Sequence, residues 1–147
     1  MITYHDIQLA MRSAMQSGNS SAWALANGGK DITVLLGDRA QVRAGEFPVA
    51  IIIYTPSSLR EVDNARFLIV EDFIIDIGTH NTNPEAAIAG LAAFEAAVYQ
   101  DLLADRTLGG LVTDLTIVTP VGDMGVNHPQ HFMGLKIQTT RKAVLHA

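Results

Sequence analysis

Asp101-Leu-Leu-Ala-Asp105-Arg-Thr-Leu-Gly-Gly110-Leu-Val-Thr-Asp114 carries an apolar helical pattern into a Gly-Gly turn and out into an alternating, strand-like run. Upstream, Pro84 suits a first helical position after the capping sequence His80-Asn-Thr-Asn83. Ile88, Leu91, Phe94, Val98 and Leu102 then make an apolar stripe at helical spacing. The intervening alanines, among them Ala86, Ala89, Ala93 and Ala96, favour helix and leave a slim surface for close packing. Downstream, Leu111, Thr113, Leu115, Ile117 and Thr119 alternate with Val112, Asp114, Thr116 and Val118. Both faces of that run are partly apolar, which predicts a strand buried on both sides.

Further out, residues 120–131 are turn-rich and carry Met124 and Val126, the composition of a long mobile loop that orders on contact. A last strand follows from Phe132 to Val144, with Met133, Leu135 and Ile137 opposite Lys136, Gln138 and Thr140. Before the long helix, Phe47-Pro-Val-Ala-Ile-Ile-Ile-Tyr54 reads as a buried strand. Residues 66–77 read as its hairpin neighbour, with Phe67, Ile69, Phe73, Ile75 and Ile77 on one face and Asp72 and Asp76 on the other. The connection over 55–65 has loop composition. At the N-terminus Thr3 or Asp6 can cap a helix bearing Ile7, Leu9, Ala10, Met11, Ala14 and Met15. Gly18-Asn-Ser-Ser21 stops it, one more turn over Ala22-Trp-Ala-Leu-Ala26 anchors Trp23, and Asn27-Gly-Gly29 turns the chain. The order helix, strands, long helix, strands predicts one α+β domain over 1–147, a mainly antiparallel β-sheet with helices packed on one face.

The succession around the Gly-Gly turn resembles the tail terminator or tail completion proteins of bacteriophages. In that family a helix ends in an Ala-Asp-x-Thr-Leu-Gly-Gly-like segment, followed by an alternating strand, a long loop and a final strand. Here that order is kept from about Pro84 to Leu145, with weaker support from the N-terminal helix and the strand start at Phe47-Pro-Val-Ala50. Residues 39–46 match no family feature. The resemblance carries over to Asp105, Thr107, Leu108, Gly109 and Gly110 as a structural turn. It implies a virion protein made in the host cytoplasm that forms a homo-oligomer, typically a hexameric ring, on the head-proximal end of the tail tube. Such a ring stops tube polymerisation and offers its other face to the neck or connector protein, so DNA passes through the channel without specific binding. Met124, Val126, Phe132 and Met133 are then the expected contacts to neighbouring subunits or to the tube.

Composition agrees with a packed domain: 48% of residues are hydrophobic and 17% charged. A formal net charge of −5 opposes tight phosphate contact, because nucleic-acid binders concentrate Lys and Arg in patches that release counterions. The absence of cysteine removes disulfides, thiolate nucleophiles and Cys-ligated zinc. No stretch reads as approaching the ~18 apolar residues that span a bilayer, so no membrane partner is expected.

Chemistry-bearing patterns are weak. Asn27-Gly-Gly-Lys30 fails as a phosphate loop, because Ala24 stands where the earlier Gly belongs and Asp31 where Ser or Thr belongs. His128 and His131 are three apart with Pro129 between them, which forbids a regular helix, and a solvated loop explains them better than metal binding. Asp101 and Asp105 lie one helical turn apart and form a solvated face with Arg106 as counter-charge, rather than a carboxylate pair with Asp114. Ser57-Ser58 sits in no nucleophile elbow. The best enzyme-like set is Asp72, Asp76 and His80, where an acid beside an imidazole could orient a general base. A half-exposed strand followed by a helix cap accounts for the same residues. No cofactor is implied. The alternatives to a terminator are a neck or head-tail joining protein of the same virion, a small soluble enzyme using that set, and an adaptor binding a host protein.

Overall fold

The computed structural model describes residues 2–37, 42–61, 66–121, 126–127 and 130–144. The first helix, α1 (Tyr4–Gln16), starts at a reciprocal cap: the Asp6 N–H donates to Thr3 Oγ1, and the Thr3 N–H donates to Asp6 Oδ2. Ile7, Met11 and Met15, each four residues apart, are fully buried on its inner face. Helix α2 (Asn19–Gly28) follows after only two residues and is ten residues long, more than the single turn expected from the Gly-Asn-Ser-Ser stop. The reason is a cap from far away in sequence. Asp101 accepts hydrogen bonds from the Asn19 and Ser20 N–H groups, so local composition did not decide where this helix starts. Gly29 ends it in the left-handed region at φ 66°, where a side chain would be strained.

Among the described residues six strands form one sheet: β1 (Thr33–Leu36), β2 (Val49–Glu61), β3 (Arg66–His80), β4 (Asp114–Val121), β5 (Val126–Asn127) and β6 (Gln130–Val144). Their order is β1-β2-β3-β6-β4, with β5 pairing β6. β1 runs parallel to β2, and every other pairing is antiparallel. The fold is α+β with a mostly antiparallel sheet. β1 was not anticipated, although Thr33-Val-Leu-Leu36 is an apolar run with two β-branched members before Gly37.

Strand pairing overrides loop composition in two places. β2 runs on through Pro56 and Ser58 to Glu61, paired with β3 as far as Glu61↔Phe67, where a loop over 55–65 was expected. The register shifts between Thr55 and Ser58, so Pro56, which cannot donate a ladder hydrogen bond, sits at an irregularity. Likewise β4 continues to Val121 and β6 starts at Gln130, so strand occupies both ends of the segment expected to be a loop over 120–131. The β4–β6 register shifts between Ile117 and Pro120, again at a proline.

α3 (Pro84–Ala104) is capped by Asn83, whose side chain accepts from the Glu85 and Ala86 N–H groups at 3.0 and 3.3 Å. Its inner face is Ala87, Leu91, Phe94, Val98 and Leu102. Ile88, expected in that stripe, is 55% exposed, and the smaller Ala87 beside it is buried in its place. Contrary to the expectation that no stretch approaches a membrane-spanning length, α3 is long and apolar enough to cross a bilayer, but here its buried face packs on the sheet.

α1, α2 and α3 cover the sheet face bearing Ala50, Ile52, Phe73, Ile75, Ile77, Leu115, Leu135 and Ile137, and together they form the main core. At about 1.5–3 kcal/mol per fully buried large apolar side chain, this layer is the principal source of stability. A smaller cluster of Phe47, Val49, Ile51 and Phe132 lies on the other face, with Leu35, Val42 and Ile53 packed against it. β4 lies at the end of the sheet order. Leu115 is fully buried, but Thr116 is exposed and Val118 is 46% exposed, so the expected two-sided burial of this strand does not occur.

Candidate interaction site

The turn after α3 is held by the residues that the sequence singles out. Asp105 ends the helix, and its carboxylate accepts from the Thr107 N–H at 3.0 Å, the Thr107 hydroxyl at 2.7 Å and the Gly109 N–H at 2.8 Å. These bonds hold the Asp105 carboxyl below the usual carboxylate range, the Thr107 hydroxyl first and the Gly109 amide second. Thr107 Oγ1 also accepts from the Gly110 N–H, and the Thr107 carbonyl accepts from the Gly110 and Val112 N–H groups. Leu108, Gly109 and Gly110 all have positive φ, at 50°, 72° and 89°. Leu108 tolerates this conformation because its side chain is buried in the main core. The Thr113 N–H then donates to the Thr140 carbonyl at 2.7 Å, and the chain enters the sheet.

The three acids near this turn have separate tasks. Asp101, expected on a solvated face, is only 7% exposed and caps α2. Asp105 closes the turn. Asp114 pairs with Arg106, whose Nε also donates to the Leu115 carbonyl at 3.1 Å. This last pair is half exposed and contributes little to stability on its own.

Asp72, Asp76 and His80 share one face of β3, but the strand rises by about 3.3 Å per residue, so each stands roughly 13 Å from the next. Asp72 accepts from Gln138 Nε2 at 3.1 Å, Asp76 is buried, and His80 is exposed with its ring tilted against Phe47 at 5.9 Å. The three do not converge. Among the described residues no three His, Asp or Glu side chains are grouped to hold a metal, and His128 lies outside those residues.

Of the expected contact residues, Met124 lies outside the described residues. Val126 is in β5, paired with His131 of β6. Phe132 is 5% exposed, with its ring against Phe47 at 5.6 Å. Met133 is partly buried against the main core.

One concavity was not anticipated. A cleft of about 550 Å³ opens between the end of α2, the first half of α3 and the sheet end carrying Pro48, Thr79 and His80. Trp23, whose ring stacks on Phe94 at 4.6 Å, makes part of its wall, and the small α3 residues Ala86, Gly90 and Ala93 line it as well. Its residues come from three distant segments, and no local pattern in the sequence marks it.

No family model matches the chain, and no curated protein matches it. A chain in the structure described as "Virion of native gene transfer agent (GTA) particle" is similar in fold, with a TM-score of 0.54 over 93% of this chain and 95% of that one, at 14% identity. At that identity the likeness speaks to fold. A second solved chain aligns over 95% of this chain and 96% of its own with 14% identity and a TM-score of 0.42, too low to carry an argument.

Proposed function

We propose that this chain is a virion structural protein of the phage type, and more specifically a tail terminator that forms a ring, typically hexameric, on the head-proximal end of the tail tube. The observation that carries the reading is the likeness in fold, over nearly the whole of both chains, to a chain of a gene transfer agent virion. The turn over Asp105, Thr107, Leu108, Gly109 and Gly110, on which the sequence resemblance rests, adds to it. The sheet also favours side-by-side assembly. β4 lies at one end of its order, and an edge strand can pair with a neighbouring copy.

In this reading a ring subunit needs two unlike surfaces, one that accepts the tube and one that refuses further tube subunits and meets the neck. Segment 120–131 and the stretch around Pro56 to Asp63 supply the contacts, with Met124, Val126, Phe132 and Met133 at or beside the first of them. The chain's net charge of −5 suits a channel that DNA traverses without sticking. A neck or head-tail joining protein of the same virion is the second reading, and the same likeness in fold favours it equally.

Negative-stain electron microscopy of the concentrated protein, with and without isolated tail tubes, tests both readings. Rings with a central hole, or caps at one tube end, support the terminator. Binding to portal rings and not to tubes selects the neck protein. Monomers that bind neither sink both.

A further inference from the structure

We propose that the cleft between α2, α3 and the end of β3 is a peptide-binding site that takes a large apolar side chain next to a carboxylate from a partner protein. The volume, about 550 Å³, suits one large side chain with its flanking backbone. Trp23 offers an aromatic wall. A Cβ built on Gly90, also on the lining, would meet no atom within 4 Å, so space remains at that position.

Charge selects the occupant. Lys30 and His80 line the cleft, and no carboxylate does so among the described residues, in a chain whose net charge is −5. The nearby Asp31 is engaged elsewhere, accepting from the Ser21 hydroxyl and the Ile32 N–H. The polypeptide nature of the occupant rests on the assembly reading above. The test below uses the free chain and no particle, so a failure here and a failure of ring assembly are told apart.

The probes are Ac-Phe-Glu-NH2 and its neutral isostere Ac-Phe-Gln-NH2, titrated to about 10 mM into the isotope-labelled full chain, enough to populate a millimolar site. The chain has one tryptophan, so the Trp23 indole N–H signal is unambiguous. The expected result is that both probes shift Trp23 and the Gly90 amide, with the acidic peptide about threefold to fivefold tighter, the range for a partly exposed ion pair. Lys30→Gln should bring the acidic peptide to the level of the neutral one. Gly90→Leu should abolish both shifts while the helix content and melting temperature hold, because the added side chain enters open space. Absence of binding, equal affinity for the two probes, or undiminished binding by the Gly90→Leu chain would overturn the proposal.

Discussion

Removing the Asp101 carboxylate should unfasten α2. Asp101 sits in the last turns of α3 and reaches the start of α2, accepting from the Asn19 N–H at 2.5 Å and the Ser20 N–H at 2.8 Å while only 7% exposed. These are two of the helix's first amides, and the negative charge also lies at the positive end of the helix dipole. A hydrogen bond to a charged group is worth about 1.5–3 kcal/mol, and the two bonds share one anchor, so they do not simply add. We expect Asp101→Ala to lose about 3 kcal/mol, and Asp101→Asn, with one acceptor oxygen left, about half of that. Urea unfolding followed by far-UV circular dichroism gives the global loss, and a slope of about 1–3 kcal/mol per molar puts the midpoint shift at roughly 1–3 M for the alanine variant. Trp23 fluorescence gives a local reading, because that ring stacks on Phe94 across the α2–α3 contact. If α2 frays first, the fluorescence transition should precede the dichroism. Gly18 belongs to the same device, since a Cβ there would collide with the Asp101 carboxylate and the Ala14 carbonyl. Gly18→Ala should therefore reproduce much of the loss. A change of less than about 0.5 kcal/mol for Asp101→Ala would refute the assignment of this carboxylate as the cap.

The Gly-Gly turn should respond to acid only late: the Asp105 carboxyl is held below its ordinary value of 3.8, so its contribution is complete above that value and is lost as pH falls through the lower folded one. The Gly109 amide resonance should follow that protonation with a midpoint below 3.8, and a midpoint at or above it would count against the bonding described. At the alkaline end, burial first and the Glu95 carboxylate second push the Tyr99 hydroxyl up to about 12. Its neutral form is thus favoured by the fold, a stabilisation present below about 10 and lost as pH rises toward 12, and an ultraviolet titration should lose its latest step in Tyr99→Phe. Arg141 donates to Glu71, which is almost wholly buried, and to the Ile2 carbonyl at 2.8 Å. Arg141→Met leaves Glu71 uncompensated and should cost about 3–5 kcal/mol by urea unfolding, against less for the double variant Glu71→Met/Arg141→Met.

The readings that succeeded from sequence were those whose physics is local. Asn83-Pro84 starts α3 because the side-chain cap and the fixed proline φ act within one turn, and Gly109-Gly110 permits the positive φ that the bonds to Asp105 and Thr107 fix. The alternation of Phe73, Ile75 and Ile77 located one core face of β3 for the same reason. What failed depended on partners far along the chain. A proline within 55–65 or 120–131 reads as a loop until a long β3 or β6 is present beside it, and then the ladder absorbs it at a register shift. Ile88 and Ala87 are adjacent, and only tertiary packing decides which of them is buried. The candidate sites divide in the same way. The bonding within the Asp105–Gly110 turn is short-range and could be anticipated, whereas the cleft joins Trp23 of α2, Lys30 just beyond it, Thr79 of β3 and Gly90 of α3. Asp101 is the clearest case. On its own helix it reads as one more surface acid beside Asp105, yet the fold turns it inward because α2 arrives with unsatisfied amides that only a buried acceptor can meet. A polar residue out of keeping with its neighbours on a buried helix face therefore points to a contact distant in sequence before it points to chemistry.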